Sequence, residues 1–141
     1  MKLTQYTDCL LRVVIFLADQ RKETSKEELS DKLFIPPIVL EKILKDLISG
    51  GILQEDLNRK YTLSRKNEEI RLYDLLVISE KTLSLVPSTG DNSNTYRNSP
   101  WYATDYMIRY FYRELQKQIE MSTKALTLKS LLQVFRGNDH L

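Results

Sequence analysis

The side chains best suited to binding chemistry in this sequence are lysines and arginines between positions 42 and 66. Lys42 and Lys45 are three residues apart in a segment with helical periodicity, so both project from the face opposite its apolar stripe. Arg59 and Lys60 open the segment RKYTLSRK (59–66), which has four basic residues of eight and no acidic one. Clustered cations of this kind bind phosphate groups. The pattern therefore predicts a candidate contact with a phosphate backbone.

Each of these candidates also has a simpler interpretation. Glu41 and Asp46 neutralise the surroundings of the two lysines, as on an ordinary solvated helix face, and the basic run is typical of a solubilising turn. Thr4 and Arg65 are further candidates for phosphate contacts. Arg12 fits either a phosphate contact or packing and pairing within its own helix, and the second interpretation is favoured.

The sequence offers little for catalysis or for metal binding. The only histidine, His140, stands one residue from the end, and the chain has neither a Ser-His-Asp order nor a glycine-rich phosphate loop. The single cysteine, Cys9, cannot form an internal disulfide and has no cationic neighbour to activate its thiol, so we expect a buried structural side chain. We therefore expect no enzyme activity, no metal site and no cofactor.

Length and composition limit the class of protein. The chain has 141 residues, enough for one compact domain with an appendage. Its 42% apolar and 28% charged residues are typical of a soluble globular protein, and its net charge is only +2. No apolar stretch reaches the roughly 20 residues that span a bilayer, and the N-terminus lacks the cleavage site of a signal peptide. Together with the single cysteine, these features predict a cytoplasmic protein with no membrane partner.

Hydrophobic periodicity predicts three helices in the first fifty residues. The first covers 6–19, and a capping box formed by Ser25 and Glu28 opens a second, short helix. The third covers 36–49, with two prolines in its first turn and two glycines at its end, where either glycine can adopt the left-handed conformation. About three residues join the second helix to the third, which is the spacing of a helix-turn-helix. The apolar stripe of the third helix comprises Leu40, Ile43, Leu44, Leu47 and Ile48.

A small hairpin is predicted after the third helix. The segments ILQED (52–56) and KYTLSR (60–65) are short and β-prone, and LNR joins them. The segment IRLYDLLVISEKTL (70–83) then predicts a fourth helix. This order is that of a winged helix. We therefore assign residues 1–83 to a winged helix-turn-helix domain, in a mainly α fold with a small β-hairpin.

The C-terminal part of the chain differs in composition. Residues 84–99 are rich in Ser, Asn, Asp, Gly and Pro and predict a flexible loop. A helix over about 100–123 follows, with apolar side chains every four residues. A domain of about eighty residues cannot cover that stripe, so residues 100–141 are predicted to be a dimerisation helix and a short helix capped by Thr127. The predicted dimerisation residues are Met107, Phe111, Leu115 and Ile119.

Three tyrosines share one face of the predicted long helix, namely Tyr102, Tyr106 and Tyr110. Small-molecule sites have apolar walls with a few hydroxyl groups, so these tyrosines fit a pocket for a small effector. They equally fit packing between two copies, because tyrosine is enriched at protein interfaces. Packing is the favoured interpretation.

Four segments in this order resemble the Rrf-two family of bacterial winged-helix transcriptional regulators. Residues 1–18 are similar to its N-terminal signature, and VLEKILKDLISGGIL (39–53) to its recognition helix and the step into its wing. IRLYDLLVISE (70–80) is similar to its next helix, and LSLV (83–86) continues as in members of the family. The resemblance covers most of residues 1–86 and, weakly, 100–133. The matching positions of the signature are Leu3, Thr4, Thr7, Asp8, Leu11, Arg12, Leu17 and Ala18.

The sequence departs from this family at two places. Sensor members carry three cysteines in the loop before the long helix, where they bind an iron–sulfur cluster, whereas residues 84–100 contain none. Asp8 matches a position that supplies an oxygen ligand in such members, but a carboxylate without thiolates does not hold a cluster, so we expect none. The wing segment is about two residues shorter than the resemblance implies, lacks the glycine pairs and carries Glu55 and Asp56.

The resemblance and the residues together predict a homodimeric transcriptional regulator, expected to be a repressor. Its partners would be a second copy of itself and double-stranded DNA, with helix 36–49 of each protomer and a short wing reading a near-palindromic operator. The predicted DNA-binding residues are Thr4, Lys42, Lys45, Arg59, Lys60 and Arg65. The alternatives are a winged-helix protein-interaction module that has lost specific DNA binding, and a regulator with a small effector near the tyrosines.

Overall fold

A computed structural model describes residues 4–81 and 101–138, and the predicted loop at 84–99 lies outside these residues. The described part is mainly helical with three short antiparallel strands, which confirms the predicted fold class. The helices are α1 (Gln5–Gln20), α2 (Lys26–Leu33), α3 (Pro37–Ser49), α4 (Leu72–Glu80), α5 (Tyr102–Ala125) and α6 (Leu128–Asn138). The strands are β1 (Thr24–Ser25), β2 (Leu53–Glu55) and β3 (Lys60–Leu63), and a single 3₁₀ turn covers Asn67–Glu69.

Helix α1 forms the centre of the packing. Its buried side is made of residues at helical spacing: Thr7, Leu10, Val13, Val14, Leu17 and Ala18. Thr4 caps its N-terminus, where the Thr4 hydroxyl accepts a hydrogen bond from the Thr7 N–H at 3.2 Å. At the other end, Arg21 adopts the left-handed conformation with φ 54° and donates its N–H to the Leu17 carbonyl. Helix α1 therefore has a side-chain cap at one end and a left-handed cap at the other.

Only half of the predicted capping box forms at the start of α2. The Ser25 hydroxyl accepts a hydrogen bond from the Glu28 N–H at 3.2 Å. The Glu28 carboxylate does not return to the Ser25 backbone. It lies 3.0 Å from the Lys32 ammonium and 3.7 Å from the Lys22 ammonium, because both cations are within its reach and attract it more strongly than a neutral N–H.

Helix α3 begins and ends as its prolines and glycines predict, with one correction. Three residues separate α2 from α3, and Pro36 and Pro37 occupy the cap and first helical positions. Gly51 is left-handed with φ 76°, but Gly50 stays right-handed with φ −81°. Gly50 is needed for space instead, since a Cβ built there would lie 2.4 Å from the Ile78 side chain of α4. Of the predicted apolar stripe, only Ile48 is not buried.

The sheet contains one strand that the sequence pattern missed. Strand β3 lies in the middle, paired with β2 as the predicted hairpin and with the two-residue β1 on its other side. Thr24 of β1 faces Tyr61 in this register and is completely buried. A two-residue strand is too short to show a periodicity, so the pattern of QRKETS (20–25) did not predict a strand.

The chain returns from α5 to the core of the N-terminal domain. The Leu72 N–H donates to the Leu126 carbonyl at 2.8 Å, and the Leu128 N–H donates to the Ile70 carbonyl at 3.0 Å. Thr127 accepts from the Ser130 N–H at 3.1 Å, as predicted for the cap of α6. Leu128 and Leu132 are then buried in the same apolar cluster as α1 and α3. Helix α6 thus packs with the winged helix, although the sequence grouped it with the dimerisation helix.

Helix α5 spans 24 residues, or about 36 Å, and packs against α4. None of the helices in 4–81 and 101–138 is both long enough and apolar enough to cross a bilayer.

Candidate nucleic-acid interface

Two of the predicted cations line one cleft between α3 and the hairpin. This α3–wing cleft has a volume of about 500 Å³, and Lys45 of α3 and Arg59 of the hairpin both border it. Three cations and three carboxylates line it in all, which makes it electrically neutral as a whole. One of the opposed pairs, Lys26 with Glu41 at 3.6 Å, forms an ion pair. Lys45 and Arg59 make no ion pair with any residue in the described ranges, so their charges are available to a ligand.

Lys42 lies on a different side of α3, above helix α1. Its ammonium nitrogen is 5.0 Å from the centre of the Tyr6 ring, which is a cation–π arrangement. The Tyr6 hydroxyl donates a hydrogen bond to the Asp46 carboxylate, one turn further along α3. The pKa of the Tyr6 hydroxyl is raised well above its usual range. Burial is the larger cause, and the Asp46 carboxylate is the second. Lys42 is exposed but held in place, in contrast to Lys45.

Asp56 builds the tip of the hairpin. Its carboxylate accepts hydrogen bonds from the Asn58 N–H at 2.8 Å and from the Lys60 N–H at 2.9 Å. These two backbone bonds, the one from Lys60 first, lower the pKa of the Asp56 carboxyl group. The carboxylate that seemed unfavourable for a nucleic-acid contact is therefore part of the turn itself.

Arg59 completes this turn with a left-handed backbone, φ 58°. A three-residue hairpin loop that ends in a left-handed residue usually has glycine at that position. Arginine there costs about 1 kcal/mol of backbone strain, and strained residues of this type are concentrated at functional sites. The conformation therefore supports a functional role for Arg59. Lys60 follows as the first residue of β3, opposite Ser25.

Three large apolar side chains are exposed around the same region. Phe34 in the turn between α2 and α3 is 91% exposed, Ile38 in the first turn of α3 is 84% exposed, and Leu57 at the hairpin tip is fully exposed. Phe34 and Leu57 were detectable as apolar residues inside predicted turns, where a polar residue is the usual choice.

The remaining predicted phosphate ligands lie elsewhere or are engaged. The Thr4 hydroxyl is used as the cap of α1. Arg12 pairs with Asp8 at 2.7 Å, one turn back, as the favoured interpretation predicted. Arg65 lies beyond the end of β3 and lines a second cleft, on the side of α1, together with Arg21 and Lys66. Thr4, Arg12 and Arg65 therefore do not line the α3–wing cleft with Lys45 and Arg59.

The predicted dimerisation residues form an uncovered stripe on α5. Met107 and Phe111 are each more than 60% exposed, Leu115 is exposed and Ile119 is half-buried. Ile108 beside them is exposed as well. Such a run of exposed apolar side chains is typical of a protein interface.

The three tyrosines of α5 remain exposed, with the rings of Tyr102 and Tyr106 6.4 Å apart. An effector pocket at these residues would need walls from outside the described ranges.

The order and packing of these elements match a known family. The model of the Rrf2 (Rrf-two) family, described as an iron-dependent transcriptional regulator, matches residues 3–134. The chain belongs to the Rrf2 family. A comparison with curated proteins finds no match.

Solved structures of regulators share the Rrf2 fold of this chain. The global cysteine regulator CymR of B. subtilis is 17% identical with a TM-score of 0.71, over 93% of this chain and 95% of that one. IscR of T. potens is 16% identical with a TM-score of 0.68, over 94% and 87% of the two chains. A putative transcriptional regulator from Listeria innocua is 20% identical with a TM-score of 0.73, over the same shares.

The donor set of this Rrf2 member does not fit an iron–sulfur cluster. Such clusters are held mainly by several cysteine thiolates, and the sequence contains only Cys9. Cys9 is half-buried against the apolar core on α1, in partial agreement with the structural role predicted for it. In the described ranges no three His, Cys, Asp or Glu side chains are grouped as metal ligands would be. Asp8, the matched oxygen position, is paired with Arg12.

Proposed function

We propose that this Rrf2 member is a homodimeric, DNA-binding repressor that works without an iron–sulfur cluster. The observation that carries the proposal is the meeting of Lys45 and Arg59 at one cleft, on the helix and hairpin that a winged helix applies to DNA. Their unpaired charges suit phosphate groups or the electronegative minor groove.

In this proposal each protomer inserts α3 into a major groove and its wing into the adjacent minor groove. Lys42 and Lys45 contact phosphates on either side of α3, and Arg59 and Lys60 contact the backbone or minor groove near the wing tip. Thr4 and Arg65 are left out, because the first is a helix cap and the second borders another cleft. Contacts between these cations and phosphate groups give affinity and fix the register of the protein on the DNA, but they do not select a sequence.

Sequence preference is proposed to come from the exposed apolar side chains. Ile38 stands in the first turn of α3, and the N-terminal part of a recognition helix approaches the base edges. The isoleucine side chain there contacts the methyl group of thymine. Phe34 lies in the adjoining turn, and in this proposal Leu57 at the wing tip contacts a wall of the minor groove. We therefore propose an operator rich in A·T pairs at these positions.

Dimerisation is proposed to occur through the α5 stripe of Met107, Phe111, Leu115 and Ile119. Two antiparallel copies of a helix of about 36 Å bury such a stripe against each other. Dimer symmetry then requires a near-palindromic operator with half-sites in successive major grooves. The exposed tyrosines Tyr102, Tyr106 and Tyr110 take part in this packing or form a site for a small effector at its edge.

The test is fluorescence anisotropy with DNA from the region upstream of the protein's own gene, against scrambled DNA, at two salt concentrations. Specific binding that weakens with salt supports the proposal, because each neutralised phosphate releases counterions. A Lys45→Gln/Arg59→Gln variant is expected to lose this binding. The matched control Lys117→Gln/Lys124→Gln removes two charges from α5 and is expected to bind as the wild type.

A protein-interaction module is the second candidate, favoured by one observation. Phe34, Ile38 and Leu57 are each exposed apolar side chains on the helix-turn-helix or the hairpin, where most DNA-binding faces are polar. Absence of salt-dependent binding to any DNA, in a chain that is dimeric in solution, would decide for this candidate.

A further inference from the structure

A basic cleft lies between the end of α1 and the end of β3. This α1–β3 cleft has a volume of about 350 Å³. Its charged lining consists of Arg21 and Lys22 after α1, Arg65 and Lys66 after β3, and one carboxylate, Glu68. Leu17 and Ala18 form an apolar part of the wall. The cleft therefore combines four cations with a hydrocarbon surface.

The charge of this cleft is unusual for the chain. The whole sequence has a net charge of only +2, whereas four cations and one carboxylate meet here. Most of the chain outside the cleft is thus balanced or slightly acidic. Lys22 has a distant carboxylate partner, Glu28 at 3.7 Å. Arg21, Arg65 and Lys66 make no ion pair with any residue in 4–81 and 101–138, and Glu68 is the one carboxylate that lines the cleft with them.

The backbone holds one of these cations at the cleft in a costly conformation. Arg21 is left-handed at the C-terminus of α1, a position that glycine or asparagine usually takes. The same conformation is strained for a long side chain. Strain of this type is found at binding sites, so an arginine at such a position is compatible with a ligand here.

The cleft lies on the opposite face of the sheet from the α3–wing cleft. Thr62 lines the α1–β3 cleft, while its neighbour Tyr61 lines the α3–wing cleft. Successive side chains of a strand point to opposite faces. Arg59 precedes β3 and Arg65 follows it, so these cations of the two clefts also lie at opposite ends of the strand.

We propose that the α1–β3 cleft binds a small organic molecule with two anionic groups joined by a short carbon chain, namely a dicarboxylate. The volume falls within the range of small-molecule sites, which begins at about 300 Å³. One anionic group is bound by the arginine and lysine after α1 and the other by those after β3. The short carbon chain between them contacts Leu17 and Ala18.

Such a ligand would link the wing to the C-terminal helices. A smaller cavity of about 180 Å³ shares Arg21, Asn67 and Glu68 with the cleft and is closed by α6 residues that include Lys129 and Arg136. The 3₁₀ turn Asn67–Glu69 thus lies between the cleft and α6. Ligand binding draws Arg65 and Lys66 towards Arg21 and so acts on β3, which carries the wing. This regulatory part rests on the proposed function, but binding itself does not.

The test is isothermal titration calorimetry with succinate and with glutarate at fixed ionic strength, with butyrate and succinamide as probes that have one charge or none. At least one dianion is expected to bind, and butyrate at least tenfold more weakly. An Arg65→Gln/Lys66→Gln variant is expected to lose at least tenfold in dianion affinity. The control Lys42→Gln/Lys45→Gln removes the same charge from α3 and is expected to retain it.

Two results would overturn the proposal. One is that neither dianion binds, or that both bind no better than butyrate. The other is that Arg65→Gln/Lys66→Gln lowers DNA affinity and its salt dependence while dianion binding is absent, which would make the cleft a contact for flanking phosphates. Dianion binding by a chain that binds no DNA would contradict the proposed function and leave this site standing.

Discussion

The Tyr6 hydroxyl donates a hydrogen bond to the Asp46 carboxylate and so joins the first turn of α1 to the middle of α3. Lys42, one turn before Asp46, lies over the Tyr6 ring. A single side chain of α1 therefore positions both a carboxylate and a cation of the proposed recognition helix. Without the Tyr6 side chain, the Asp46 carboxylate would lose its hydrogen-bond donor from α1, and the Lys42 ammonium would lose the ring over which it lies. The position at which Lys42 meets a phosphate group would then be less well fixed.

Tyr6→Phe is expected to lower the free energy of unfolding by about 1 kcal/mol, the usual value of one hydrogen bond. The pKa of Tyr6 is raised in the folded state, so its stabilisation is complete below the unfolded pKa of about 10 and is lost as the pH rises beyond it. Denaturant unfolding at neutral and alkaline pH measures this effect. The variant should show a flatter alkaline decline than Tyr73→Phe, which serves as control, and equal declines would contradict the assignment.

Asp56→Ala is expected to loosen the wing without unfolding the domain. The carboxylate accepts two backbone N–H groups, and its pKa is lowered, so the contribution is present above the unfolded pKa of about 4 and lost as the pH falls below it. Hydrogen exchange of the Asn58 and Lys60 amides should accelerate in the variant, and in the wild type on acidification. Asp31→Ala, which removes an exposed carboxylate of α2, is the control. Unchanged exchange in Asp56→Ala would exclude the capping role.

Phe111→Glu is expected to convert the dimer to a monomer, because it places a charge in the centre of the exposed stripe of α5. Sedimentation equilibrium measures the change, and DNA affinity should fall with it since both half-sites are no longer bound together. Arg113→Glu changes a neighbouring exposed side chain and should leave the dimer intact. A wild-type chain that is monomeric at all concentrations would remove the basis of this prediction.

Gly51→Ala is expected to cost about 1 kcal/mol of stability, because the left-handed conformation at φ 76° places a Cβ against the following carbonyl. Space is not the cause, since a Cβ there meets no atom within 4 Å. Gly51→Asn should recover part of the loss. Gly137→Ala also enters open space, but within α6, and is expected to be neutral or stabilising by a few tenths of a kcal/mol. Thermal unfolding compares the three, and equal effects of both alanine variants would refute the conformational explanation.

Lys45→Gln and Ile38→Ala are expected to separate affinity from specificity. The first removes one phosphate contact, so binding to all sequences should weaken alike and the salt slope should fall by about 1. The second removes an apolar contact with a base edge, so only binding to the operator should weaken, with about 1 kcal/mol or more lost at one A·T pair. Anisotropy titrations with operator and scrambled DNA measure both. The same loss on both DNAs in Ile38→Ala would argue against base readout.

The sequence predicted the helices well because each carries its own start, stop and apolar period. Pro36, Pro37 and Gly51 bound α3, and Thr127 caps α6, all of which act over a single turn of chain. The family followed from four such segments in one order. Such local signals can be recognised in the sequence without knowledge of the tertiary structure.

What the sequence did not predict depends on residues far apart in the chain. The partners of Glu28 and the pairing of Thr24 with Tyr61 are decided by which segments meet after folding. The same holds for Arg65, which looked like an extension of the basic run at the wing but faces Arg21 across another cleft. Asp56 appeared as an unfavourable charge because its two N–H donors become visible only when the turn is closed.

Two backbone hydrogen bonds determine how α5 can tilt. One joins Ile70 to Leu128 and the other joins Leu72 to Leu126. They hold its C-terminal end at the winged helix, where α5 also packs against α4, so the helix is an arm of about 36 Å whose displacement on tilting is largest at its N-terminal end. A tilt of about 5° moves that end by about 3 Å, close to the 3.4 Å step between base pairs. In the proposed dimer, a small change of angle at this joint therefore alters the distance between the two recognition helices by nearly one base pair.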